Sequence, residues 1–77
     1  MDSTPEVGDV VVVPEVRASH LVYVVHAEGG SDQIAYETRA EAAEHAIAYA
    51  RHQRVSAWYG DRPELGFVLL GCFRGRT

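Results

Sequence analysis

Histidines come nearest, by type and spacing, to a metal or acid–base site in this 77-residue chain. His45 and His52 lie seven positions apart, with Tyr49 between them and Glu41 one helical turn before His45. A Glu–His pair four positions apart on a helix can share one metal ion. No spacing supplies a third ligand, and the same stripe is typical of a solvated helix face. We therefore predict no metal and no cofactor, and leave open whether the stripe binds anything.

A candidate nucleophile is Cys72, the single cysteine of the chain, which lies in an apolar run. A catalytic thiol needs a base and an oxyanion site, and the sequence indicates neither beside it. Gly29 and Gly30 form too short a loop to hold a phosphate, and no lysine follows them. We therefore predict no catalytic residue and a protein that is not an enzyme.

A candidate partner or nucleic-acid surface comes from arginines placed around the aromatic pair Trp58 and Tyr59. All seven basic residues are arginine, and residues 50–77 carry five of them against Asp61 and Glu64. Arginines interleaved with aromatic rings are typical of surfaces that stack on bases. The net charge of −4 argues against nucleic acid, and rings buried in a core or a dimer contact are the favoured alternative. The candidate residues are Arg51, Arg54, Trp58, Tyr59 and Arg62.

Charge is divided unevenly along the chain. Residues 1–38 hold one arginine against seven acids, a net of −6, and residues 39–77 hold six arginines against four acids, a net of +2. This asymmetry predicts one of three arrangements: the two halves attract within a chain, two chains pair, or a cationic face is left for an anionic partner.

Apolar runs predict five strands. The first ends at Pro14, which cannot donate to a β-ladder, and its start at Gly8 and Asp9 reads as a bulge or an irregular entry. A polar connection over residues 14–19 follows it, and Gly29 and Gly30 favour a hairpin turn after the second strand. The predicted strands are residues 7–13, 20–27, 33–36, 54–59 and 67–73.

One helix is predicted over residues 39–53. Thr38 and Glu41 have the spacing of a capping box, and the segment after Thr38 contains neither glycine nor proline. The apolar stripe of this helix is mostly alanine, so the helix must pack closely on its sheet. The stripe consists of Ala43, Ala46, Ile47 and Ala50.

These elements predict a single α+β domain over residues 1–77, in the order β-β-β-α-β-β, with frayed ends at 1–6 and 74–77. The fold is an open, mainly antiparallel five-stranded sheet with one helix packed on one face. Strands two and five are apolar on both sides, so a monomer is expected to leave several large side chains in water. We therefore predict a homodimer, with a strongly curved sheet as the alternative. The side chains concerned are Val22, Val24, Trp58, Val68 and Leu70.

The sequence predicts neither a transmembrane segment nor a secretory signal. Its longest apolar stretch, residues 67–70, is far too short to cross a bilayer, and its acidic start is unlike a secretory signal. A single cysteine, which cannot form an internal disulfide, fits a reducing compartment. We predict a cytoplasmic protein.

Several short motifs lie between residues 10 and 62. They are Val12-Val13-Pro14, Gly29-Gly30, Thr38-Arg39-Ala40-Glu41-Ala42 with the run to Ala50-Arg51, and Tyr59-Gly60-Asp61-Arg62. In these pieces the chain resembles a family of small uncharacterised bacterial proteins, domain of unknown function 2188. The resemblance implies a bacterial protein and carries no activity, cofactor or catalytic residue.

The predicted function is that of a small non-enzymatic protein-interaction or accessory module that acts as a homodimer, with a further protein partner unidentified. The alternative is a small nucleic-acid-binding or regulatory protein that uses the arginine-rich C-terminal half.

Overall fold

The computed structural model describes residues 4–74, which form one five-stranded sheet and one long helix. The elements are β1 (Val10–Arg17), β2 (His20–Ala27), β3 (Gln33–Tyr36), α1 (Arg39–Gln53), β4 (Ser56–Tyr59), a short 3-10 turn (Pro63–Leu65) and β5 (Val68–Cys72). The α+β class and the order β-β-β-α-β-β are confirmed. Of the ends predicted to fray, residues 1–3 and 75–77 lie outside the described part of the chain.

The sheet is mixed, with the strand order β3-β2-β1-β4-β5. Three neighbouring pairs are antiparallel, and the pair β1–β4 is parallel. Helix α1 makes this possible, because a parallel neighbour needs a long crossover connection and the chain passes through α1 before it enters β4. The prediction of an open, mainly antiparallel sheet is thus confirmed, with a parallel pair at its centre.

Strand β1 is displaced from the predicted 7–13 and runs through Pro14, which pairs with Tyr23 of β2. The amide of Gly60 donates to the carbonyl of Val12 at 2.9 Å, so the polar backbone groups of Val12 point toward β4. Two residues later the nitrogen of Pro14 points to the same side, beyond the end of β4. Because no ladder bond is required there, proline is tolerated inside the strand.

The connection between β1 and β2 is shorter than predicted. Only Ala18 and Ser19 separate the strands, and both have positive φ, 49° and 67°. Positive φ at both central residues defines the turn that best matches the twist of a two-residue hairpin. The polar connection predicted over residues 14–19 is wrong, because the β-ladder extends to Arg17 and His20.

Helix α1 covers one face of the sheet through its alanines. The hydroxyl of Thr38 accepts a hydrogen bond from the amide of Glu41 at 3.1 Å, as the capping box predicts. At the other end Arg54 adopts the left-handed conformation and caps the helix, so β4 begins at Ser56 rather than at the predicted residue 54. The fully buried contact joins Val10, Val12 and Ala57 of the sheet to Ala42, Ala46 and Ala50 of the helix.

The second face of the sheet is less exposed than the sequence predicted. Val24 is 1% exposed and Trp58 is 8% exposed within a single chain, so the expectation that a monomer leaves them in water is wrong. Val22 is half-buried, and Leu70 is half-buried on the helix-covered side, where it packs against the alanine and valine core. Among the five side chains in question, Val68 is the one that lies largely in solvent, at 63%.

Candidate functional site

The predicted arginine–aromatic surface is divided by the sheet. Trp58 and Tyr59 are adjacent in β4 and therefore point to opposite faces. Tyr59 packs against the core under α1, whereas Trp58 pairs in register with Val11 on the other face. With 8% of its surface exposed, Trp58 offers no ring on which a base could stack. Burial of both rings was the alternative that the sequence favoured.

The arginine nearest to Tyr59 is Arg39, whose guanidinium lies over the Tyr59 ring at 5.5 Å from its centroid. The Tyr59 hydroxyl donates to the carboxylate of Asp61 at 3.4 Å. Burial raises the pKa of Tyr59 above its ordinary value, and the negative charge of Asp61 raises it further, while Arg39 opposes both. Sequence reasoning did not select Arg39, although it opens the helix one residue after the cap.

The three candidate arginines are placed in different structural settings. Arg51 lies over the ring of Phe73 at 5.4 Å, and Arg54 is the helix cap. Arg62 is exposed in the loop after β4, beside a shallow cavity of about 390 Å³ that it shares with Asp61. The structure thus gives two of the three arginines a role within the fold, and the nucleic-acid alternative stays a prediction.

The tightest polar cluster centres on Asp9, which lies just before β1 and is 1% exposed. Its carboxylate accepts hydrogen bonds from the amide of Glu6 at 3.0 Å, the amide of Ser56 at 3.0 Å and Nε1 of Trp58 at 2.9 Å. The guanidinium of Arg74 binds the same carboxylate and lies 3.6 Å from Oε1 of Glu6. We call these five residues the Asp9 cluster.

The electrostatics of the Asp9 cluster favour the ionised carboxylate. Burial by itself raises the pKa of Asp9, because the charged form loses its hydration. The hydrogen bonds from the Glu6 and Ser56 amides and the Trp58 indole, together with the positive charge of Arg74, outweigh burial and lower the pKa below its ordinary value of 3.8. Asp9 is therefore a buried anion with all its partners in place.

The sequence analysis did not find the Asp9 cluster. Two of its predictions concern residues of this cluster and can be compared with the structure. The chain turns over residues 6–9 before β1 begins, with Gly8 at a φ of 97° and the Asp9 amide donating to the Glu6 carbonyl at 2.9 Å, so of the two predicted alternatives the irregular entry is observed and the bulge is not. Glu6 and Arg74, predicted to fray, are held by Asp9. One signal was available: the indole N–H of a buried tryptophan needs an acceptor.

Cys72 is exposed on β5, at the edge of the sheet, and is therefore not the buried thiol that the sequence favoured. Hydrogen bonds with the Ser56 side chain and the Arg74 backbone, together with the positive charge of Arg74, lower the pKa of its thiol below the ordinary value of 9.0. Within residues 4–74, no three His, Cys, Asp or Glu side chains gather where they could hold a metal ion.

The histidine stripe is exposed to solvent at all four of its positions, Glu41, His45, Tyr49 and His52, as predicted for a solvated helix face. Two of these residues nevertheless lie at the border with the sheet. The buried alanines follow the line Ala42, Ala46 and Ala50, so His45 and Tyr49 lie about 100° around the helix from it. His45 stacks on Tyr36 of β3, with ring centroids 4.7 Å apart and planes at 15°. Both helix residues line a groove of about 420 Å³ between α1 and the β2–β3 hairpin.

The two edge strands differ in their surroundings. Edge strand β3 has four uncharged residues with Ile34 60% exposed, but it is flanked by the acids Asp32 and Glu37. Edge strand β5 has five residues without a charge or a proline, and its Val68 and Leu69 are 63% and 48% exposed. Uncharged edges with exposed apolar side chains are the ones that pair with another strand.

Comparisons with protein-family models, curated proteins and solved structures found no match to this chain. The resemblance of residues 10–62 to a bacterial family therefore stays a prediction. No helix in the part of the chain that the structure describes is long and apolar enough to cross a membrane.

Proposed function

We propose that this protein is a non-enzymatic protein-interaction module that acts as a homodimer, with the β5 edge as the dimer contact. The observation that carries the proposal is the character of β5. It presents the unpaired side of its backbone at the edge of the sheet, and Val68 and Leu69 expose apolar surface beside it. Edge strands left open in this way template the addition of another strand.

A second copy of the chain is the partner that β5 fits best. Two β5 strands related by a two-fold axis run antiparallel, so each can satisfy the backbone groups of the other without a change of register in the sheet. The contact would join two five-stranded sheets into one continuous sheet. The β3 edge is a poorer self-contact, because Asp32 and Glu37 would meet the same acids of the other copy.

A single chain leaves less apolar surface for a dimer to bury than the sequence alone suggested. Val24 and Trp58 are already buried in one chain, so the second face of the sheet needs no cover there. What remains for a partner is the edge itself, with the exposed parts of Val68 and Leu69. The proposed contact is therefore small and depends on backbone hydrogen bonds as much as on apolar burial.

The test is size-exclusion chromatography with light scattering at micromolar concentrations, where a dimer has twice the 8.5 kDa mass of the chain. The variant Leu69→Lys places a charge on β5 of both copies close to the axis and is expected to give the monomer. Leu69→Thr keeps the strand uncharged and is expected to remain dimeric. Ile34→Lys places the same charge on the other edge and is expected to remain dimeric.

Circular dichroism of each variant establishes that it is folded, which is expected because Leu69 and Ile34 are about half exposed or more. A wild-type chain of 8.5 kDa throughout the concentration range overturns the homodimer. A dimer that survives Leu69→Lys and dissociates in Ile34→Lys assigns the contact to β3 and overturns the β5 edge.

The cytoplasmic location predicted from the single cysteine is a separate proposal.

A further inference from the structure

The groove between α1 and the β2–β3 hairpin has the size and walls of a small-molecule site. Its volume of about 420 Å³ lies within the range of ~300–1,000 Å³ that is usual for ligand pockets. It is open to solvent on one side and lies on the β3 side of the sheet, remote in the strand order from β5. The side chains that matter below are Val25, Asp32, Ile34, Tyr36, His45 and Tyr49.

The walls of the groove are suited to a flat ring. Tyr36 and His45 already stack on each other across the gap between β3 and α1, which fixes the orientation of both rings. Tyr49 follows His45 by one helical turn and is 44% exposed, and Ile34 on β3 is 60% exposed. A planar apolar ring that binds in a concave site removes the surrounding exposed apolar and aromatic surface from water, and this burial favours binding.

The charge of the groove selects the sign of a ligand. Asp32 is the one carboxylate among the lining residues, which also include His26 and His45, and within residues 4–74 it has no ion pair. The surrounding segment, residues 28–44, contains five acids against the single arginine Arg39. A negative field in a partly enclosed site attracts cations and disfavours anions. Aromatic faces add to this preference, because their negative quadrupole attracts positive charge.

From these observations we propose that the groove binds a small organic cation that carries a planar ring. The ring occupies the space between Ile34 and Tyr49, and the positive charge faces the carboxylate of Asp32. The proposal does not depend on the homodimer, because β5 contributes nothing to the groove.

The experiment titrates the full chain with three probes that share an indole ring and differ in charge: tryptamine, tryptophol and indole-3-acetate. Two-dimensional amide NMR follows each titration. Tryptamine is expected to bind most tightly, indole-3-acetate most weakly, and the amide signals of residues 32–36 and 45–49 are expected to shift most.

Two variants separate the contributions of charge and ring. Asp32→Asn is expected to weaken tryptamine about two- to fivefold, the range of an exposed ion pair, and to leave tryptophol unchanged. Tyr49→Ala is expected to weaken both tryptamine and tryptophol about tenfold. Glu64→Gln removes an exposed carboxylate outside the groove and is expected to change none of the three affinities.

The proposal is overturned if tryptamine gives no saturable shift up to millimolar concentration, or if the shifts map to another part of the sheet. Equal affinity for tryptamine and indole-3-acetate, or no loss in Asp32→Asn, overturns the assigned charge preference. The same titration on the Leu69→Lys chain keeps the outcome independent of the dimer, since that variant alters only the β5 edge.

Discussion

The helix-covered face of the sheet is packed with alanine and valine side chains, whereas the opposite face buries one ionised carboxylate, that of Asp9. Under α1, three alanines meet valines and an alanine of the sheet without any polar side chain among the fully buried residues of that cluster. On the other face, Val11, Val24 and Trp58 are buried, and the Trp58 indole donates to the carboxylate of Asp9. The same sheet thus buries its two sides by different physical means.

The difference teaches how each face responds to change. Alanine contacts bring a helix very near its sheet, so the helix-covered face is sensitive to added volume and indifferent to pH. A buried carboxylate with four donors is sensitive to the loss of its charge or of any partner. Asp9 also joins residues that are distant in sequence, since its partners range from Glu6 to Arg74.

The largest expected effect is that of Asp9→Ala, which removes the acceptor shared by the whole cluster. The Trp58 indole and the Ser56 amide would be left without their partner in a buried position, and Arg74 would lose its counter-charge. We expect a loss of about 3 kcal/mol in the free energy of unfolding, measured by urea denaturation followed by circular dichroism.

The control for this variant is Asp61→Ala, which removes an exposed carboxylate that contacts one tyrosine hydroxyl. It is expected to cost less than about 1 kcal/mol. A similar loss in both variants would mean that the Asp9 cluster contributes no more than a surface contact.

The next effect is that of Ala46→Leu, at the centre of the helix-covered face. Ala46 is fully buried, and the close approach of α1 leaves no space for three further carbon atoms. Overpacking of this kind costs about 2 kcal/mol. Ala48→Leu makes the same change on an exposed position of the same helix and is expected to leave stability nearly unchanged, so a comparable loss in both would contradict the close packing of the helix.

The smallest effect near neutral pH is the dependence of stability on proton concentration. Because the pKa of Asp9 is lower in the folded chain than its ordinary 3.8, its contribution is fully present above that value and is lost as pH falls through the folded pKa. Acid should therefore destabilise the wild-type chain below about pH 4. Trp58 fluorescence in an acid titration follows this loss directly, since its indole is bound to Asp9.

Asp9→Asn provides the comparison, because an amide in place of the carboxylate has no titration in this range. We expect this variant to be less stable than the wild-type chain at pH 5. Its free energy of unfolding should change less between pH 5 and pH 3 than that of the wild-type chain. Parallel curves for the two proteins would show that Asp9 is not the group that titrates.

The strands and the helix follow from local sequence, because periodicity two or an alanine-rich segment behind a cap decides the backbone state residue by residue. The boundaries that were wrong have tertiary causes. Pro14 stays in β1 because its neighbour β4 ends before it, and Arg54 leaves β4 because it caps α1. The sequence favoured burial for Trp58 but could not name its hydrogen-bond acceptor, since only the fold brings Asp9 to its indole.

The sequence by itself determined an α+β domain with one alanine-faced helix, because short-range patterns are encoded within each element. Tertiary structure alone decided which strands became neighbours, and with that the parallel pair β1–β4. It also decided the Asp9 cluster and the groove beside Tyr36 and His45, because both assemble from residues far apart along the chain. No local pattern specifies such contacts, since they form only when the sheet brings distant segments together.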